Sequence, residues 1–174
     1  MEDSDLIAGA CAGDRLAARR LYDRHAQRVY RLIFRMVGDD DLAREYTQDT
    51  FVKAFQRLAQ YRGESAFSTW LHAVATSSVL TGFRRQKRQR SREAELDEAR
   101  TVAAPSVGGD PHLRDRLTAE LERLRMPVLL HDVEGYTHRE ISGMLDIPEG
   151  TSKARLFEAR ARLREVLAGV ALEQ

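Results

Sequence analysis

Apolar residues recur along this chain at spacings of three and four. Between positions 14 and 37, Ala18, Leu21, Tyr22, Val29, Ile33 and Val37 fall at helical intervals, with Arg19, Arg20, Asp23, Arg24 and Arg28 between them. That pattern predicts an amphipathic helix. The acids of GDDD suit a second helix start, after which Leu42, Tyr46, Phe51, Phe55 and Leu58 form an apolar face against Glu45, Gln48, Asp49 and Gln56. Beyond a loop at 61–65, a third helix is expected from near Ser65, packing Phe67, Trp70, Leu71 and Val74 inward before running into RRQKRQR. Gly82 lies inside it and costs about 1 kcal/mol relative to alanine, so the helix is expected to fray or end there.

The pattern then changes. From Ser91 the chain becomes charged and then small (TVAAPSVGGD), with Pro105, Gly108 and Gly109 breaking any period, which predicts a linker over 91–111. Leu113, Leu117, Leu121, Leu124 and Val128 resume a helical stripe. Pro127 lacks an N–H and clashes with the carbonyl four residues back, so one helix is expected to end near Arg125 and the next to begin with Pro127. After Gly135, placed as a helix C-cap, Thr137 and Glu140 make a capping box for THREISGML, whose buried side is Ile141, Met144 and Leu145.

Asp146 suits the tight turn that follows, Ile147 plugs the corner, and Gly150 and Thr151 open another helix with Thr151 as its cap. Two short helices joined in this way form a helix-turn-helix, whose second helix lies in the DNA major groove. On that helix Leu156, Leu163 and Leu167, aided by Phe157 or Ala159, face inward. Ser152, Lys153, Arg155, Arg160, Arg162 and Arg164 supply the polar surface. The early residues are placed to read bases, Arg155 bidentately on guanine, and the later arginines to meet phosphate. Ser152 occupies a position where a buried apolar residue could stand, and is read as polar and close to DNA.

Composition narrows the function classes. The chain has 174 residues, 43% hydrophobic, enough for one domain or two small ones with real cores. The formal net charge of +1 hides acids at 1–14 and 38–49 and bases at 84–92. One cysteine, Cys11, makes no internal disulfide, so a reducing cytoplasmic setting is expected. The acidic N-terminus has no signal-peptide pattern, and no apolar run approaches the roughly 18 residues of a membrane span. His131, Asp132, Glu134 and His138 cluster in sequence, but their spacing is not that of an H-E-x-x-H site, and surface or capping roles suffice. No metal, cofactor or catalytic residue is expected.

Two stretches resemble one family. GYTHREISGMLDIPEGTSKARLFEARARLR is similar to region 4 of the extracytoplasmic-function (ECF) sigma factors, and LAREYTQDTFVKAFQRLAQYRGESAFSTWLHAVA to their region 2. The resemblance implies an all-α chain of two small helical domains: a region 2 bundle (1–90) and a region 4 helix-turn-helix (112–174), joined by a flexible linker. It implies an alternative sigma factor, not an enzyme, that binds core RNA polymerase and directs promoter-specific initiation. Glu45, Gln48 and Asp49 would dock on core polymerase. Arg62, Ser68, Thr69, Thr76, Ser77, Arg84, Arg85, Lys87 and Arg88 would meet the melted minus-ten strand and phosphate. Phe67 and Trp70 offer rings for base stacking there, though their helical spacing reads first as core.

Thr151, Ser152, Lys153, Arg155 and Arg160 would meet double-stranded DNA at the minus-thirty-five element. An anti-sigma factor is the further partner implied. The chain departs from the family at Thr76, Ser77, Thr81 and Gly82, where Arg-Asn followed by Asp-His or Asp-Tyr is common, and at a shortened ERLRMPVLL joint. Two alternatives stay open: a helix-turn-helix regulator that does not bind polymerase, which leaves the region 2 resemblance unexplained, and, because of these departures, a sigma-like interaction protein impaired in promoter recognition.

Overall fold

The computed structural model describes residues 2–100 and 124–171, and the chain divides into two compact units after Arg88. In the first unit, α1 (Asp3–Cys11) was not anticipated from the sequence. Its signal is local: the Glu2 N–H donates to Asp5 at 3.0 Å, closing a capping box, and Leu6 is buried. Asp3 ties α1 to α2 (Arg15–Val37), accepting from Arg24 at 2.6 Å and lying 2.9 Å from Nε2 of His25.

Helix α2 begins where Asp14 accepts from the N–H groups of Leu16 and Ala17, and it stops at Gly38 in the left-handed region. Its buried stripe is Ala17, Leu21, His25, Val29, Leu32, Ile33 and Met36. Ala18, Tyr22 and Val37, expected inward, are only half-buried. Helix α3 (Asp40–Gln56) is capped by Asp39 and buries Ala43, Thr47, Thr50, Phe51 and Ala54. The two threonines fit because their hydroxyls donate to carbonyls one turn back, Thr47 to Ala43 at 2.7 Å and Thr50 to Tyr46 at 2.6 Å. A short 3₁₀ turn, Leu58–Gln60, then leads to the loop before α4.

Helix α4 (Phe67–Arg100) does not end at Gly82. A methyl group placed on Gly82 would come within 2.6 Å of the Tyr46 ring, so the glycine is the slot that lets α3 and α4 approach. Packing at this slot outweighs the helix-propensity cost. Residues 91–100, assigned to a linker from composition, continue α4. The rest of that segment, 101–111, and the leucines at 113, 117 and 121 lie outside the described residues.

In the second unit residues 124–128 are α-helical and pass through Pro127 without the expected break. The turn that follows, Leu129–Val133, is a π-helix, and Glu134 N–H closes onto the Leu129 carbonyl five residues back. Gly135, at φ 78°, then redirects the chain. Helix α5 (His138–Leu145) starts with the Thr137–Glu140 capping box and buries Ile141, Met144 and Leu145, as the sequence predicts. Asp146 ends it in the left-handed region (φ 53°, ψ 51°), the one non-glycine residue so placed among the described residues.

Helix α6 (Glu149–Ala171) starts three residues earlier than a cap at Thr151 implies. The Pro148 carbonyl accepts from Ser152 N–H at 3.1 Å, so Thr151 lies within the first turn and does not cap it. Gly150 is likewise within the helix at no special backbone angle, and the bend is made at Asp146. The core of this unit is Leu124, Met126, Leu129, Leu130, Ile141, Met144, Leu145, Leu156 and Ala159.

Candidate nucleic-acid interface

The turn between α5 and α6 is fixed from inside. The Ser142 hydroxyl donates to the Ile147 carbonyl at 2.6 Å, and Ile147 N–H donates back to the Ser142 carbonyl at 3.2 Å. With the turn held, α6 buries Ser152, Leu156 and Ala159, at intervals of four and three, and leaves Lys153, Ala154, Phe157, Arg160, Arg162 and Arg164 exposed. Of the two residues offered for the inward face, Ala159 takes it and Phe157 is 72% exposed. Leu163, also expected inward, is 49% exposed.

Ser152, expected beside DNA, is fully buried. Its hydroxyl lies 3.0 Å from Nδ1 of His138, the first residue of α5. The position is a core one after all, and the imidazole supplies the partner that a buried hydroxyl needs. His138 in turn stacks on His131, with ring centroids 4.7 Å apart. His131 Nδ1 is 2.9 Å from Asp132, and Asp132 accepts from Arg160 at 2.5 and 3.1 Å. Burial pushes the His138 imidazole below its ordinary value, with His131 and Lys153 adding to the shift. The Arg160 guanidinium holds the Asp132 carboxyl below the usual carboxylate range. Sequence reading had noted His131, Asp132 and His138 as a cluster and Ser152 and Arg160 as surface residues of the next helix, and missed that all five form one chain of contacts across the helix-turn-helix.

The remaining α6 residues sit at or near the surface. Lys153 pairs with Glu149 at 2.7 Å one turn back. Thr151 and Arg155 are half-buried, and the Nε of Arg155, shielded from solvent, has no hydrogen-bond partner.

In the first unit Glu45, Gln48 and Asp49 are all exposed along α3, and Val52, 56% exposed, continues that line. Arg62 is exposed in the loop before α4, with Glu64 3.9 Å away, while Ser68 and Thr69 are half-buried in the first turn of α4. Phe67 is buried. Trp70, half-exposed, stacks on it at 5.7 Å and leans on Tyr61 at 5.6 Å. Ser77, Arg84, Arg85 and Arg88 are exposed farther along α4, whereas the Lys87 side chain lies outside the described residues. Thr76, expected at the DNA surface, is fully buried, and its hydroxyl has no hydrogen-bond partner. Among the described residues no group of three or more His, Cys, Asp or Glu side chains is placed to hold a metal ion. None of the described helices is long and apolar enough to cross a membrane.

A helical bundle followed by a helix-turn-helix is the architecture of a sigma-70-type initiation factor, and the family models agree. Residues 21–89 match the one described as Sigma-70 region 2, and residues 121–163 the one described as Sigma-70, region 4. The chain is 30% identical to the ECF RNA polymerase sigma-E factor of Haemophilus influenzae, with 92% of each chain covered. It is 31% identical to the RNA polymerase sigma factor CarQ of Myxococcus xanthus, over 88% of this chain and 90% of that protein. The chain therefore belongs to the ECF RNA polymerase sigma factors, alternative sigma factors that direct transcription initiation.

Two solved structures share the fold at 22% identity. The sigma factor RpoE of Bartonella quintana, crystallised with the anti-sigma factor NepR, superposes with a TM-score of 0.61 over 86% of this chain and 96% of that one. CnrH, solved with the cytosolic domain of CnrY, gives 0.62 over 96% and 97%.

Proposed function

We propose that the two units divide promoter recognition between them. Glu45, Gln48 and Asp49, with Val52, dock on core polymerase. Arg62, Ser68, Thr69, Ser77, Arg84, Arg85, Lys87 and Arg88 engage the minus-ten element and its phosphates. Thr151, Lys153, Arg155 and Arg160 engage the minus-thirty-five duplex. Thr76 and Ser152 drop out of the contact set because both are buried. The observation that carries the reading is the Arg155 guanidinium: its Nε is desolvated and unpartnered at the edge of the exposed face of α6. An orphaned cationic donor at such a place is satisfied by a phosphate or a guanine edge.

On this reading the protein has no chemistry of its own and contributes binding and position to the polymerase. It acts in the cytoplasm. Its activity is controlled by an anti-sigma factor, a partner of the kind seen with RpoE of Bartonella quintana. The test is to mix the chain with core polymerase and measure complex formation and promoter-dependent transcription. A complex and specific initiation are expected. Arg155→Ala should leave the complex intact while lowering promoter affinity, and an unchanged affinity would remove Arg155 from the interface.

A further inference from the structure

Helix α1 carries none of the residues assigned to DNA or core polymerase, yet one of its side chains reaches toward the segment that leads into α4. The loop before α4 is tied at both ends by aromatic rings. The Tyr61 hydroxyl donates to the Ser65 carbonyl at 2.6 Å, and the Tyr61 ring meets Phe67 edge-on at 5.5 Å and leans on Trp70 at 5.6 Å. Phe67 and Trp70 stack at 5.7 Å. These three rings set where Arg62 stands in the loop and where Ser68 and Thr69 stand in the first turn of α4.

The fourth ring of the cluster is an imidazole. His25 of α2, 8% exposed, meets Phe67 edge-on, with centroids 5.2 Å apart and planes at 72°. The outer torsion of such a ring is soft, so packing alone sets its plane loosely. Here a polar partner sets it: Nε2 of His25 lies 2.9 Å from Asp3, the first residue of α1. An ionised carboxylate only accepts, so the imidazole nitrogen donates and the bond direction fixes the ring. Asp3 is itself held, its other oxygen accepting from Arg24 at 2.6 Å. Contact therefore runs from an α1 carboxylate through an α2 imidazole to the ring that opens α4.

We propose that Asp3 and His25 are positioning residues for capture of the melted minus-ten strand. Asp3 orients the imidazole, the imidazole edge seats Phe67, and Phe67 with Tyr61 and Trp70 presents Arg62, Ser68 and Thr69 to the strand. This rests on the assignment of those three residues to the minus-ten element. Asp3 and His25 act through Phe67 and need no contact with DNA.

The experiment uses the full chain assembled with core polymerase and two probes. One is a promoter duplex enriched from a randomised library by the wild-type holoenzyme; the other is the same duplex with its minus-ten segment pre-melted by mismatches. Asp3→Ala removes the acceptor, and His25→Phe keeps a ring but removes the donor. Each should lower affinity for the pre-melted probe about fivefold, the size of one edge-to-face ring contact, while core affinity stays unchanged. The double variant should lose no more than either single one, since both break the same link. Asp3→Asn keeps an acceptor and should bind as the wild type does. In the free chains the emission of Trp70, the one tryptophan, should move to longer wavelength in Asp3→Ala and His25→Phe and stay in place in Asp3→Asn.

The Asp3 side chain is 30% exposed, so Asp3→Ala is expected to fold and carries the test if His25→Phe does not. An unchanged helical circular dichroism spectrum checks it. Wild-type capture by Asp3→Ala would overturn the proposal. So would losses that add in the double variant, or a fall in core affinity as large as the fall in strand affinity, since that would mark a general loss of structure. If the wild-type holoenzyme does not prefer the pre-melted probe to the intact one, the assignment of Arg62, Ser68 and Thr69 to the strand fails, and this inference with it.

Discussion

In the first unit α3 and α4 meet where a tyrosine ring fills the space over a glycine. In the second, α5 and α6 meet where a serine hydroxyl lies against a histidine ring. Shape dominates the first seam, where Gly82 leaves no room for even a methyl beside Tyr46, with one polar link beside it, Lys53 Nζ donating to Ser78 Oγ at 3.2 Å. Polar pairing supports the second: Ser152 with His138 between α5 and α6, Ser142 with Ile147 in the turn joining them, and Asp132 of the preceding π turn with Arg160. Each unit buries one hydroxyl that the sequence had suggested for DNA, yet the two are treated differently. Ser152 has its partner, whereas Thr76 has none.

The largest effect is expected from filling the slot. Helix propensity alone would make Gly82→Ala stabilising by about 1 kcal/mol. Overpacking against a ring typically costs about 1–3 kcal/mol, and here the ring sits across the Cβ position, so the net change should be a loss. Denaturant unfolding followed by the fluorescence of Trp70, the chain's one tryptophan, reports on this unit alone. A second change, Tyr46→Leu, should recover much of the loss. If Gly82→Ala is simply more stable, the ring swings aside freely and the seam is not closed by shape.

The two buried hydroxyls should respond with opposite signs. Thr76→Val keeps the shape and removes an unpaired buried polar group, so the first unit should gain about 1 kcal/mol in the same fluorescence measurement. Ser152→Ala removes a paired hydroxyl and leaves Nδ1 of His138 without its partner. The second unit should lose about 1 kcal/mol or less, read as faster amide hydrogen exchange in α5 and α6. Equal signs would mean that pairing does not distinguish the two seams.

What could be read from the sequence divides along the same line. The acid-rich start of α3, the Thr137–Glu140 box, the turn at Asp146 and the buried triplet of α5 depend on residues within a few positions of one another, and the pattern alone placed them. Ser152 and His138 are 14 residues apart and Asp132 and Arg160 are 28 apart, so neither pairing leaves a local trace. Gly82 was read by propensity as a weak point because Tyr46, its reason for being there, belongs to another helix. Pro127 was read as a break, but helical geometry passes through it into a π turn. Phe157 could have been placed outward by counting from Leu156 and Ala159, which already complete the inward face. The binding roles followed from family resemblance and helix-turn-helix grammar; the burial that removed two residues from them followed from tertiary contacts.

The smallest expected effect is a pH dependence confined to the second seam. His138 is held below its ordinary value by burial and by His131, Lys153 and Arg160, with Glu149 opposing. A histidine depressed in the folded state takes up its proton more readily when unfolded, so the unfolded chain carries more protons over that interval. Its contribution to stability is therefore complete above the unfolded value of about 6.5 and declines as pH falls through that value toward the folded one. Asp132, depressed by Arg160 and His131, declines in a separate window, as pH falls below the ordinary carboxylate range. Hydrogen exchange in α5 and α6 should accordingly quicken in two steps on acidification, with the upper step missing in His138→Gln. The α3–α4 seam has no imidazole at the Tyr46–Gly82 contact and should show no upper step of this origin. A step of equal size in that seam would remove the distinction between closure by shape and closure by polar pairing.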